Sequence, residues 1–533
     1  MDKSRDILPL RAPTNSSTVT RRQIMQGAVA LAASSLLPEC ASSNSSEVPT
    51  PRAQPAPLPL LNPQPTPAGA ITRASLNVTT TPAGSIGPAF AGLSYEKSQL
   101  YGPLFTPSNT DLIGIFRRLG PSLLRIGGNS TDKNVWTPNG PGQTVGQIAP
   151  SDVDSLAAFV QAAGWQCLYS VNLGGVATGA TTPALAADEV AYAARQFGSS
   201  LLGIEIGNEP DLYGYPGKFF ADDWSLSKFL TLWEQFRAAI VATTPGVSIT
   251  GPADATYEKT WTVPFAKAVT SRQISLLTQH YYRASDLLPT STAAYLLTPD
   301  PTLIGYLALL KAGAQRTGIP YQMSECNSYY NGVNDAGVDG VSNSYASSLW
   351  VIDFLFNCAQ GGASGVNFHG GGQVRYTPIP HKAGSVVRVG PEAYGMLLFN
   401  LAGQGALYTT QIFAGSLNVT AYAVKAASGA LNLIVVNKDP SQNLQLSTQL
   451  PATASSATLL AMTQLTSGST VPDLSATAGI TIQGARVNLD GAFSPAPAYT
   501  LEPNGSQFTC YVPALSAVLI RIALETPIHP RGK

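Results

Sequence analysis

The chain has 533 residues, enough for a large core and too many for one ordinary domain. Its 31 basic residues balance 31 acidic ones, and only 12% of the chain is charged. That balance excludes the basic footprint of a nucleic-acid binder or of a protein gripping a long sulfated polyanion, and favours a small or weakly charged ligand.

The first segment is a leader. Thr20-Arg21-Arg22-Gln23-Ile24-Met25 precedes the apolar run Gly27 to Ala33, in the order of a bacterial twin-arginine export signal. The run is far too short to span a membrane, and no transmembrane helix is expected. Cys40 follows Leu37-Pro38-Glu39, a poor lipobox because the residue before the cysteine should be small, so a lipid anchor is disfavoured. Residues 1–45 are assigned to export and 46–69, rich in proline, to a stiff extended linker. The other cysteines, Cys167, Cys326, Cys358 and Cys510, include no CxxC pair and read as buried thiols. With four histidines at no zinc-like spacing, neither a metal nor another cofactor is expected.

The body opens with an alternating strand at 70–85. Strand and helix patterns then take turns. Strands are read at 89–96, 123–129, 167–173, 202–209, 248–251, 276–282, 321–326 and 365–369. Helices are read at 111–119, 152–163, 184–197, 225–243, 263–268, 303–317, 344–359 and 391–401. Eight such alternations favour an α/β fold of the closed (β/α)8 TIM-barrel type, over residues 86–403, rather than an open sheet. From 404 to 533 the texture changes to short, alternating, turn-bounded runs, the pattern of an antiparallel β-sandwich. The strand at 70–85 is expected to join that sandwich, because a closed barrel needs no ninth strand and an unpaired edge invites aggregation.

Two acids stand out. Glu209 ends the fourth strand in Asn208-Glu209-Pro210, and Glu325 the seventh in Ser324-Glu325-Cys326. An acid where a strand leaves the core is costly to desolvate unless it has chemistry to do. Taken alone, the first could be a turn and the second a helix-capping or core-satisfied acid. Together, on the same rim of a barrel, they suggest two carboxylates converging on one sugar. A second carboxylate nearby raises the pKa of one member of a pair, which suits a general acid. Asn208 is placed to bond the sugar 2-hydroxyl, and His280 and Tyr282, two residues apart on the sixth strand, to hold Glu325 charged and oriented. Arg125 on the second strand favours an ionised Glu325 and pairs structurally with Glu205. His369 either lines the mouth or is a satisfied core histidine.

These residues resemble glycoside hydrolase family 79, the β-glucuronidase and heparanase-like family. The resemblance runs from about Ile71 to the C-terminus, through Leu124-Arg125-Ile126-Gly127-Gly128-Asn129-Ser130-Thr131-Asp132, Asn208-Glu209-Pro210 and His280-Tyr281-Tyr282. It continues in Ser324-Glu325-Cys326-Asn327-Ser328-Tyr329-Tyr330-Asn331-Gly332 and the Gly-rich loop near Tyr376. It implies a barrel with a β-sandwich built partly from the N-terminal strand, and a retaining mechanism with Glu209 as acid/base and Glu325 as nucleophile. It further implies that Tyr330, the backbone of Gly332 and Tyr376 hold a uronic acid carboxylate, while Glu96 and Asp132 take hydroxyls of the same ring, beside Asn208 and Tyr282. The substrate class expected is a carbohydrate ending in β-linked glucuronic acid, plain or 4-O-methylated, cut in exo fashion because no basic clusters are seen in the sequence. The alternatives are an endo-acting heparanase-like or hyaluronan-cleaving glycosidase, and a non-catalytic carbohydrate-binding homologue. A monomer or weak oligomer, with no nucleic-acid partner, is expected.

Overall fold

A computed structural model describes residues 62–221, 223–330, 336–372, 374–465 and 471–525. The export signal, Cys40 and most of the proline-rich stretch lie outside the described residues. Eight parallel strands close into a barrel: Ala91–Glu96, Leu123–Gly127, Gln166–Val171, Leu201–Ile206, Ile249–Asp254, Leu276–Ser285, Tyr321–Tyr330 and Val366–Gly370. The last strand pairs in register with the first, Val366 opposite Ala91 and Gly370 opposite Tyr95. Both faces of each strand are covered, which is why the sequence runs are almost continuously apolar. The helices between them start on local caps: Asn109, Thr182 and Asp300 each accept the backbone N–H three residues on, which satisfies an otherwise orphaned donor.

Apart from two short two-stranded pairs, the remaining described strands form one continuous ten-stranded sheet that curls on itself. The N-terminal strand Ile71–Ile86 is inside it, antiparallel to Gly405–Phe413 and parallel to Asn443–Gln449; this parallel pair is an exception to the otherwise antiparallel pattern. Period-two alternation divides the sheet strands between two cores. Tyr422, Val424, Ile434 and Val436 face the barrel's core, whereas Ala423, Leu433, Val435 and Ile520 fill the inside of the curl. The helix Tyr345–Gly361 is one of the contacts between the halves. Phe356 stacks on Tyr422 with ring centroids 4.2 Å apart, and Asp353 takes Thr420, Tyr422 and Lys438. Burying one such aromatic stabilises the junction by about 1.5–3 kcal/mol.

The end of the proline-rich stretch is not free linker. Asn62 donates to the carbonyls of Pro497 and Ala498, and Gln64 exchanges two hydrogen bonds with the backbone of Tyr511. Residues from 62 onward therefore belong with the sheet, because their amides replace hydrogen bonds that an edge would otherwise lack. Cys167, Cys326, Cys358 and Cys510 are buried free thiols. Ala293–Thr317 is long and apolar enough by composition to cross a membrane. Its helix Pro301–Thr317, however, occupies the crossover between the sixth and seventh strands and buries Leu303, Leu307 and Leu310.

Candidate active site

The fourth strand ends at Ile206 and the chain then turns sharply. Gly207 has φ 84°, and a β-carbon there would meet the Tyr213 hydroxyl at 2.5 Å, so only glycine fits. Glu209 is itself left-handed, φ 51°, and donates its backbone N–H to Ala253, which is also left-handed at φ 60°. Each such non-glycine residue costs roughly 1–2 kcal/mol. The surrounding contacts hold both in place, and strain of this kind concentrates where a side chain must be aimed.

Glu325 lies in the middle of the seventh strand rather than at its end, and it is only 3% exposed. One oxygen of Glu209, one of Glu325 and a ring nitrogen of His280 all lie within 4.8 Å of one another. The two glutamates have unlike surroundings. Glu325 Oε2 accepts from Arg125 at 2.7 Å, and Oε1 accepts from the Tyr282 hydroxyl at 2.9 Å. Burial pushes its carboxyl upward, but His369, His280, Arg125 and the Tyr282 hydrogen bond outweigh burial and hold it well below the usual carboxylate range. Glu209 goes the other way. Burial, the Glu325 charge and the Asp211 charge together raise it above its ordinary value against the pull of His280. One carboxyl is kept charged and its neighbour is kept able to hold a proton.

Arg125 is completely buried and divides its donors among four partners: Glu205, Glu325 and the Asn208 side-chain oxygen, each at 2.7 Å, and the Ser94 hydroxyl at 3.3 Å. Its rigid fork thus sets the nucleophile candidate and the neighbouring amide in one plane of contacts. Asn208 keeps its amide nitrogen without a hydrogen-bond partner among the described residues, available to a ligand hydroxyl.

The structure redirects His280. Its Nδ1 sits 3.1 Å from Glu209 Oε1 and 4.0 Å from Glu325 Oε2, so the ring serves Glu209 first and not, as the sequence suggested, Glu325. Strand alternation does put His280 and Tyr282 on one side, but Glu209 reaches over from the turn and takes the closer position. Asp132 is held by the protein on both sides. Oδ1 accepts from the N–H groups of Leu173 and Gly174, and Oδ2 from the N–H of Asn208 and the Tyr213 hydroxyl. These four donors make Asp132 a brace for the Asn208 turn, at the wall of the crevice beside Glu209.

Glu96 accepts from the N–H of Asn129 at 3.1 Å and from the N–H and hydroxyl of Ser130, yet its side chain remains 27% exposed. Gly128, φ 75°, makes this cradle, since a β-carbon there would lie 2.5 Å from the Glu96 carboxyl. Tyr330 is 47% exposed and meets Tyr282 edge-on at 6.0 Å, and Tyr376 lies 5.9 Å from the same ring. Three phenols therefore cluster on the Glu325 side. Gly332 lies outside the described residues.

His369, left open by the sequence, is part of this site. It stands between Glu96 (Nε2 to Oε1, 3.6 Å) and Glu325 (Nδ1 to Oε2, 3.7 Å) and shares a hydrogen bond with Ser94. Burial disfavours its charge, but Glu325 and Glu96 outweigh that and raise its pKa. The signal for it was its place at the end of the eighth strand, the same rim that carries Glu209. Asn327, one of the residues in the seventh-strand motif, ties the walls together by donating to the carbonyls of His369 and Tyr376. Beside Glu209 a narrow crevice has Asn129, Asp132, Lys133, Asn208, Lys218 and Phe219 among its lining residues. Glu209, His280 and Glu325 are also close enough to hold a divalent cation. Such an ion would share Glu325 with the Arg125 guanidinium, an unfavourable neighbour.

No family model matches the chain. It is similar to a β-glucuronidase of Aspergillus niger, 25% identical over 290 residues that make up 48% of this chain and 51% of that protein. The chain thus spans about half the length of the curated relative it matches. Among solved structures, it is similar to a 4-O-α-L-rhamnosyl-β-D-glucuronidase from Fusarium oxysporum, with TM-score 0.64 and 18% identity, covering 84% of this chain and 99% of that one. It is also similar to a family 51 α-L-arabinofuranosidase from Bifidobacterium longum, with TM-score 0.61, 15% identity and coverage of 85% and 100%. The closed barrel with its curled sheet is the fold of these glycosidases.

Proposed function

We infer that the chain is a retaining, exo-acting β-glucuronidase of the family 79 type. The observation that carries this reading is the pair of glutamates within 4.8 Å, one held charged and one held able to carry a proton. Retaining glycosidases place their two carboxyl groups about 5–5.5 Å apart, whereas inverting enzymes leave room for a water between them. Similarity to the Aspergillus niger β-glucuronidase supports the glucuronide as substrate.

In this reading Glu325 attacks the anomeric carbon while Glu209 protonates the departing oxygen; Glu209 then takes a proton from the water that releases the sugar. His280 helps to place the proton: its Nδ1 lies 3.1 Å from Glu209 Oε1, which leaves Oε2 to carry the acid's proton. Asn208 binds the 2-hydroxyl, Glu96 a further hydroxyl, and Tyr330 and Tyr376 the sugar carboxylate. Phenols suit that last task, because another full positive charge beside Glu325 would over-stabilise the resting nucleophile.

The parent enzyme is expected to release 4-nitrophenol from its β-glucuronide and much more slowly from the β-glucoside and β-galactoside. No turnover of the glucuronide would end the reading and favour a non-catalytic carbohydrate binder; oligosaccharide products from a polymer would favour the endo-acting alternative. Exhaustive chelation with EDTA should leave the rate unchanged. A loss reversed by a divalent cation would instead assign Glu209, His280 and Glu325 to a metal.

A further inference from the structure

Asp254 ends the fifth barrel strand and is completely buried. Its Oδ2 lies 3.0 Å from the Thr262 hydroxyl, which in turn lies 2.6 Å from Gln279 Oε1. The orientation of Gln279 is fixed, because its amide nitrogen donates to the carbonyls of Asp254 and His280. Gln279 Oε1 can only accept, so the single hydroxyl hydrogen of Thr262 is committed to it. Thr262 then offers Asp254 a lone pair, and a lone pair facing a carboxylate oxygen needs a hydrogen between them. Asp211 lies near Asp254 and accepts the N–H groups of Ala255 at 2.9 Å and Thr256 at 3.2 Å. Burial, and after it the neighbouring Asp211, disfavours charge on Asp254.

We propose that Asp254 is held as a neutral carboxylic acid and acts as a positioning residue for Glu209. The connection runs through Gln279, which precedes His280, whose Nδ1 lies 3.1 Å from Glu209. The neutral acid thus braces the histidine through the Thr262–Gln279 chain. The titratable groups facing Asp254 are Asp211, Glu258 and Tyr306, none of which supplies a positive charge; Lys259 acts on Glu258. The role at Glu209 rests on the glucuronidase reading, but the proton on Asp254 does not.

The test uses the full chain with Asp254→Asn and Asp254→Ala. At pH 7 the infrared difference between the parent and Asp254→Asn should contain the C=O stretch of a protonated carboxylic acid. A folded-state pKa raised above the unfolded value gives stability that is present below the unfolded pKa and lost as pH rises through the folded one. The Tm of the parent should therefore fall relative to that of Asp254→Asn as pH rises. With 4-nitrophenyl β-glucuronide, Asp254→Ala should lower kcat about 10- to 100-fold with little change in KM, and Asp254→Asn should restore most of it. An empty infrared difference, a Tm gap independent of pH, or an alanine variant with unchanged kcat would each overturn the proposal. If the parent turns over no glucuronide, the functional reading fails while the infrared and Tm measurements still decide the proton.

Discussion

Glu325→Gln is expected to abolish glucuronide hydrolysis, by at least about 10⁴-fold, whatever the leaving group. The amide is isosteric and Arg125 keeps Glu205 as a partner, so the variant should fold and bind substrate while losing the attacking oxygen. Glu209→Gln should behave differently. Acid assistance contributes roughly 10²–10⁴-fold, and it is needed only where the departing oxygen is basic. Rates for alkyl or sugar glucuronides should collapse, whereas a strongly acidic dinitrophenol should still depart quickly. External azide separates the two roles: it should replace the missing base in Glu209→Gln to give a β-glucuronyl azide, and fill the nucleophile's place in Glu325→Gln to give the α-anomer. Comparable residual rates in the two variants across all leaving groups would sink the assignment.

The same pair sets the pH response. Glu325 is held low by His369, His280, Arg125 and Tyr282 despite its burial, so activity should persist well to the acid side of its ordinary 4.5. Glu209 is raised by burial, Glu325 and Asp211, so the alkaline limb should mark the loss of its proton. That limb should be absent from the residual activity of Glu209→Gln.

The barrel was legible in the sequence because a parallel strand covered on both faces leaves a continuous apolar run, and eight of them alternate with helical patterns. Glu209 and Glu325 were legible because acids are conspicuous in such runs. What could not be read was which oxygen meets which donor. Asp132 looks like a ligand in sequence, and its four hydrogen bonds come from Leu173, Gly174, Asn208 and Tyr213, segments that only the closed barrel brings together. His280 reaches Glu209 because Glu209 leaves its strand in a left-handed turn, a conformation the Asn-Glu-Pro string does not specify. His369 and Asp254 were opaque for a related reason: a histidine or an aspartate at a strand end carries no mark of the protonation that its buried neighbours impose. The curl of the sheet was hidden as well, since alternation gives two faces to a strand without saying what covers each.

Arg125→Ala is expected to destabilise the fold by about 3–5 kcal/mol and to remove activity with it. Arg125 is the guanidinium bonded to both Glu205 and Glu325, and these side chains are 0% and 4% exposed. Removing it leaves two buried carboxylates facing one another with only Ser170, Tyr282 and the histidines to support them. Arg125→Lys should recover little, because a single ammonium cannot reproduce the three directed bonds to Glu205, Glu325 and Asn208. Pairing Arg125→Ala with Glu205→Gln should recover part of the loss, since one uncompensated charge is then gone; a strictly additive double variant would contradict the buried-charge explanation. The pH dependence has a definite sign. The depressed carboxyl of Glu325 contributes stability above its unfolded pKa, and that stability is lost as pH falls toward its folded value. The gap in Tm between the parent and Arg125→Ala should therefore be widest near neutrality and shrink below about pH 4.3, where carboxyl groups take up protons and no longer need the guanidinium. A gap that stays constant across that range would mean that Arg125 acts by packing its stem rather than by holding the two charges.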